Sequence, residues 1–261
     1  MSRYYDFAAS TPVSPAVTHA MSPWLNEYFS NSMASHVSGL KAFEAVETAR
    51  RVIADKIGAL SSEIVFTSGA SESNNFALKG VAFANLEKKG HIITSAIEHK
   101  CILNACAFLE RLGFHVTYLL PDQQGVIQPE VLAAAIRDET IMISIHHVNN
   151  EIGTVQPIAE LGGIAFERGI QFHTDAAQSF CKCRINVDDM NIDMLSLSGH
   201  KIYGPKGIGA LYIRDARNID IVPLIHGGGQ ENGLRGGTHP TQLIVGLATA
   251  VEHFPKSPVI E

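Results

Sequence analysis

Long apolar runs are missing from this chain. No stretch of about 18 consecutive apolar residues occurs, so no segment reads as a membrane-crossing helix. Positive charge is scarce too. Twenty Lys and Arg stand against 26 Asp and Glu, for a net charge of −6, which argues against nucleic acid or an anionic membrane as the main partner. Cysteine is rare: Cys101, Cys106, Cys181 and Cys183 are the only four in 261 residues. That is too few for a disulfide scaffold, so reduced thiols and a cytoplasmic location are the expectation. No charged-then-apolar leader opens the chain, and no internal repeat, low-complexity stretch or linker interrupts it before Pro255. What remains is 46% hydrophobic and 18% charged, enough to bury a sizeable core in one large α/β domain or two small ones.

Residues 1–14 have no helical period and read as an extended arm. Pro15–Tyr28 reads as a short helix, Ser30–Gly39 as a polar loop, and Leu40–Leu60 as a helix. That last helix has Phe43, Val46, Ala49, Ile53 and Ile57 at three- and four-residue spacing and Gly58 near its end. From there apolar runs alternate with helical patterns. The candidate strands are Glu63–Thr67, His91–Ser95, Phe114–Leu120, Ile141–Val148, Ile170–Thr174, Ile192–Leu197 and Ile208–Ile213. Helices are expected from the Ser71 region through Leu86, from Lys100 to Leu112, and over Pro129–Arg137, Ile158–Arg168 and Pro240–Phe254. This is the pattern of an α/β fold, a mostly parallel seven-stranded sheet sandwiched by helices. Ligands of such sheets sit beyond the carboxyl ends of the strands.

The informative polar residues fall at those ends. Ser71, His99, Asn150, Asp175, Ser198, His200 and Lys201 each follow the apolar run of their own strand. Gly69-Ala70-Ser71 opens a helix, which makes an anion site suited to phosphate. No Gly-Lys-Ser/Thr follows, so it is not a P-loop, and Ser71 and Ser73 are as well explained as helix N-caps. Lys201, held in a loop between two strands, could lose its proton by desolvation and attack a carbonyl, or be a solvated lysine in a turn. Asp175 could cap a helix or hold a ring nitrogen protonated, and His99 could be a cap or a stacking group. His146, His147 and His173 lack the ligand spacing of zinc sites, so no metal is expected. Taken as one site, these residues meet the requirements of pyridoxal phosphate: a lysine for the aldehyde, a carboxylate for the ring nitrogen, a flat face, an amide, and a phosphate cradle.

Several stretches carry a family resemblance: YYDFAASTPV, TSGASESNN, SAIEHK, HHVNNEIGTVQPI, HTDAAQ, SLSGHKIYGPKGIGALYI and HGGGQENGLRGGTHP. In this order and spacing the chain closely resembles the cysteine desulfurases that feed iron–sulfur cluster assembly. These are fold type I pyridoxal-phosphate enzymes of the class V aminotransferase group. The resemblance implies removal of sulfur from L-cysteine, leaving alanine and a persulfide. It makes Lys201 the Schiff-base lysine, with Asp175 on the pyridinium nitrogen and Gln178 on the phenolic oxygen. His99 would stack on the ring and move protons. Ser71, Ser198 and His200 would hold the phosphate with the backbone of Ala70, and Asn150 would lie against cofactor and substrate. Ser71 stands where the family usually has Thr and keeps the hydroxyl. Thr238 would reach the phosphate of a neighbouring subunit's cofactor, implying a homodimer, and a sulfur-acceptor or scaffold protein is an expected partner.

The resemblance covers a cofactor-binding large domain, expected over 15–254, with 255–261 as a tail. The family's smaller C-terminal domain, which carries the persulfide cysteine and an Arg for the substrate carboxylate, has no counterpart in this sequence. None of the four cysteines matches the family's mobile catalytic loop. Cys101 is expected to be tied into packing, and Cys181 and Cys183 to lead away from the strand ends. The expectation is an impaired desulfurase. The alternatives are a split-enzyme or non-catalytic cofactor-binding homologue, and a simple pyridoxal-phosphate lyase.

Overall fold

The computed structural model of the chain describes residues 3–255. Seven strands form one sheet: β1 (Ile64–Thr67), β2 (His91–Ser95), β3 (His115–Leu119), β4 (Thr140–Ser144), β5 (Gln171–Asp175), β6 (Met194–Ser198) and β7 (Gly209–Ile213). Their order is β1-β7-β6-β5-β4-β2-β3. The expected parallel sheet is present with one reversal, since β7 runs antiparallel to both β1 and β6. The reason is length. Only residues 199–208 separate β6 from β7, short of the dozen or so that a parallel crossover needs.

Adjacent residues within each strand split between two cores, as the pleat requires. Phe66, Ile93, Ile143, Leu195 and Tyr212 face one layer of helices, made by α1 (Pro15–Met21), α3 (Val37–Ile57), α6 (Pro129–Ala135), α7 (Ile158–Glu167) and α8 (Thr241–Glu252). Val65, Ile92, Met142, Met194 and Leu211 face the other, made by α4 (Ala70–Ala84) and α5 (Lys100–Arg111). Both sides are thus covered, which is why the strands read as nearly continuous apolar runs.

Local departures from the expected boundaries have local causes. The helix expected over Pro15–Tyr28 breaks at Ser22, because Pro23 starts a second short helix, α2 (Pro23–Asn26). Helix α3 begins at Val37 rather than Leu40, because the His36 Nδ1 accepts the Gly39 N–H and caps it, and Gly58 closes it in the left-handed conformation. The β4 run ends at Ser144, since His146 and His147 turn away into the loop that carries Asn149 and Asn150. The arm is not simply extended. It makes a tight turn at Asp6–Ala9 and then binds the β6–β7 loop, through Thr11 N–H to His200 O (2.9 Å) and Ser14 N–H to Tyr203 O (3.0 Å). The tail expected from 255 lies, from 256 onward, outside the described residues.

Candidate active site

The carboxyl ends of β1, β2, β4, β5 and β6 open on a cleft of ≈ 700 Å³, the size of a cofactor or drug-sized ligand site. Of the residues singled out in the sequence, Ala70, Ser71, His99, Asn150, Asp175, Gln178, Ser198, His200 and Lys201 all line it. Thr238 does not; it is exposed, outside the cleft lining.

Asp175 is the last residue of β5 and is buried at 7% exposure. Burial pushes its carboxyl pKa up, while two donated hydrogen bonds pull the other way: Ala177 N–H to Oδ1 (2.9 Å) and Asn74 Nδ2 to Oδ2 (2.7 Å). It caps a turn, not a helix. Such a carboxylate favours a cationic or proton-bearing partner.

Lys201 is half-buried and closes the short helical turn after β6. Its Nζ donates to Ala8 O (2.7 Å) and Ala9 O (2.9 Å), so the arm folds across it. Burial lowers its pKa, and Asp175 and Asp6 partly restore it. Gln178 donates to the same Ala8 carbonyl (2.8 Å) and accepts from Lys182 (3.3 Å). The contact between arm and lysine spans most of the sequence, and no local pattern announced it.

The anion corner lies at the start of α4. Its N-cap is Gly69, at φ +147°, a conformation that L side chains rarely adopt. A Cβ on Gly209 would meet Gly69 Cα at 2.7 Å, so the strand and the cap approach as only glycine allows. Neither Ser71 nor Ser73 is the cap. Ser73 is buried against the Thr67 hydroxyl (2.8 Å), while Ser71 stays exposed at the cleft. Ser198, His200 and Lys206, the last not foreseen, complete the corner. Burial, followed by the charges of Lys201 and Lys206, lowers the His200 pKa. Glu72 also lines the cleft, and burial works against its charge. Arg235, at 2.9 Å, and the Ser68 N–H, at 2.8 Å, nonetheless hold its carboxyl below the ordinary range.

His99 caps α5 through Nδ1 and also lines the cleft. Cys101 packs against the core beneath α4 and α5, as expected, and also lines the cleft. Its Sγ lies 3.0 Å from His99 Nδ1 and 3.2 Å from Asn74 Nδ2, whereas Cys106 is fully buried in that core. Cys181 and Cys183 do not line the cleft. Asn74, fully buried in α4, was missed as a site residue because nothing in its local pattern separates it from Asn75. His146, weighed in the sequence only as a metal ligand, is in the cleft wall and takes Glu98 Oε1 at 2.7 Å. Burial opposes a charge on that imidazole, but the Glu98 carboxylate prevails and raises its pKa. His173 sits between Ser144 and Ser196, and burial lowers its pKa to about 3.

Comparison with known proteins agrees with this geometry. The Aminotransferase class-V family matches residues 3–259. The cysteine desulfurase IscS of Rickettsia typhi is 53% identical over 250 residues, which span 95% of this chain and 61% of that protein. A mitosomal cysteine desulfurase of Trachipleistophora hominis is 53% identical, with 95% of this chain and 57% of that protein covered. The chain therefore spans about three fifths of the length of these curated relatives. Among solved structures, SspA in complex with cysteine has a TM-score of 0.97 at 64% identity, covering 98% of this chain and 74% of that one. A NifS-like protein has a TM-score of 0.93 at 40% identity, covering 97% and 69%. Class V aminotransferases and their cysteine desulfurase branch use pyridoxal phosphate, and the cleft offers a lysine, a buried carboxylate and an anion corner that fit it. No helix among the described residues is long and apolar enough to cross a membrane. With its motifs, its sheet and the contents of its cleft all agreeing, this chain belongs to the class V aminotransferase family, and within it is similar to the cysteine desulfurases.

Proposed function

We propose that this chain is the cofactor-holding part of a cysteine desulfurase, with L-cysteine as substrate. The observation that carries the reading is that Lys201 and Asp175, from neighbouring stretches of the sheet, line one cleft with the anion corner of α4. Bound there, pyridoxal phosphate supplies an electron sink for charge developing at the substrate Cα. The chain's own residues do the rest. Asp175, fixed by Asn74 and Ala177, holds a proton at the ring nitrogen. Lys201, with its pKa lowered by burial, is brought nearer the free amine that a carbonyl requires, once Ala8 and Ala9 release it. Ser71, Ser198, His200 and the first turn of α4 take the phosphate, with Lys206 adding charge. His99 stacks and moves protons, Gln178 takes the phenolic oxygen, and Asn150 orients cofactor and substrate. The cysteine held by the SspA structure supports the choice of substrate.

Sulfur removal needs an exposed, ionisable thiol. Burial raises the pKa of all four thiols here, to about 12 for Cys106 and Cys181. We therefore assign this stretch cofactor and amino-acid binding with slow turnover by itself. The exposed Thr238 suits a contact with a second copy's site in a homodimer, and four free thiols suit the cytoplasm. A sulfur-acceptor protein completes the proposal. The test is to add L-cysteine to the cofactor-loaded chain and follow its visible spectrum, alanine and sulfide. A spectral response with little sulfide supports the reading. Bound cofactor with no response to any amino acid identifies a non-catalytic binding module.

A further inference from the structure

We propose that Cys101 is a positioning residue for His99: its S–H, held in place from Asp175 through Asn74, keeps the imidazole in the tautomer with Nδ1 bare and the proton on Nε2. The catalytic consequence rests on the function proposed above; the tautomer itself does not.

Every direction in the chain of bonds can be worked out. The backbone N–H of Cys101 points at His99 Nδ1 from 3.1 Å, and a backbone amide can only donate, so Nδ1 carries no hydrogen. The Cys101 Sγ lies 3.0 Å from the same atom. With Nδ1 bare, a hydrogen bond between the two has the thiol as donor, sharing the single Nδ1 lone pair with the backbone N–H. Burial raises the Cys101 pKa, so the S–H is retained at neutral pH. The thiol is set in turn by Asn74, whose Nδ2 lies 3.2 Å from Sγ and 2.7 Å from Asp175 Oδ2. Flipping the Asn74 amide would set its oxygen against the carboxylate, so the orientation with Nδ2 inward is the one the network allows. The two hydrogens of one amide thus serve two acceptors. The order is Asp175 accepting from Asn74, Asn74 donating to Cys101, and Cys101 donating to His99.

His99 Nε2 makes no hydrogen bond within the described residues, and His99 lines the cleft. A proton exchanged between His99 and a bound substrate then passes through Nε2, which the neutral ring presents as a donor. The residue under the ring nitrogen and the residue proposed for the ring face are therefore joined through two side chains that do not themselves react.

The experiment is ¹⁵N NMR on histidine-labelled full chain, cofactor-free, at a pH where its imidazoles are neutral, with His99→Asn identifying the signal. The expected result is one His99 tautomer, Nδ1 pyridine-like and Nε2 bearing the hydrogen. Cys101→Ala removes one donor and leaves the backbone cap, so the Nε2–H to Nδ1–H ratio should fall about fivefold, as loss of one ordinary hydrogen bond implies. Cys101→Ser, which keeps a donor, should restore most of it. An Nδ1–H tautomer in the wild-type chain overturns the proposal whether or not any variant folds. So does a ratio the same in Cys101→Ala as in wild type. Because no cofactor is present, failure to bind pyridoxal phosphate would count against the proposed function and leave this result intact.

Discussion

Replacing Glu231 with Gln should destabilise the chain by several kcal/mol at neutral pH, and the penalty should fade in acid. Glu231 is 5% exposed and sits in the Gly-rich loop before Thr238. Its Oε2 accepts from Arg50 Nη1 (2.7 Å) and Phe66 N–H (2.8 Å), and its Oε1 from Arg50 Nη2 (2.9 Å) and His239 Nε2 (2.6 Å). Burial works against the charge, but these donors prevail and hold the carboxyl at about 2, against an ordinary 4.5. At ~1.4 kcal/mol per unit, that difference is worth about 3 kcal/mol of stability. Removing one partner of a buried ion pair costs on the order of 3–5 kcal/mol by another route, because Arg50, itself 7% exposed, keeps only Glu47 as an acidic partner among the described residues. The two figures agree. For a chain of this size the melting temperature should drop by roughly 10 °C. The sign follows from a depressed carboxyl: its contribution is present above the unfolded pKa and is lost as pH falls toward about 2. Thermal melts of wild type and Glu231→Gln from neutral pH downward should therefore converge below pH ~4. Equal melting temperatures at neutral pH, or a gap unchanged by acid, would refute the claim that this buried pair anchors the loop.

Other outcomes follow from the cleft. Asn74→Ala strips one donor from Asp175 and should weaken pyridoxal-phosphate binding about fivefold or more, read by cofactor titration; unchanged affinity would remove Asn74 from the site. Shortening the arm to begin at Ser10 frees Lys201 from the Ala8 and Ala9 carbonyls and should speed its modification by an amine reagent, mapped by mass spectrometry. All four thiols should react sluggishly with a thiol reagent at neutral pH, Cys106 and Cys181 most slowly, since burial holds those two at about 12. Sedimentation should find a symmetric dimer; a stable monomer with bound cofactor would remove the shared-site role of Thr238.

Much of this was legible in the chain, for a physical reason. A parallel sheet buried on both faces writes its strands as apolar runs, and its ligand residues must follow them, so Asp175 and Lys201 stand out by position alone. Element ends set by one residue, such as Pro23 or the His36 cap, moved the boundaries by a few positions. What stayed hidden were contacts between residues far apart in sequence. Arg50 with Glu231, Lys201 with Ala8 and Asn74 with Asp175 depend on strand order, which no local pattern encodes. That Cys101 also lines the cleft was hidden for a related reason. Its place at the start of a helix does not say which neighbours, core or cleft, its face meets.

The central claim is that the cleft holds pyridoxal phosphate on Lys201. The direct measurement is borohydride reduction of the cofactor-loaded chain, followed by peptide mass spectrometry. The account predicts one reduced pyridoxyl adduct, on Lys201, with no adduct at all in Lys201→Ala. An adduct on Lys206 or Lys182 instead, or one that survives in Lys201→Ala, would contradict it.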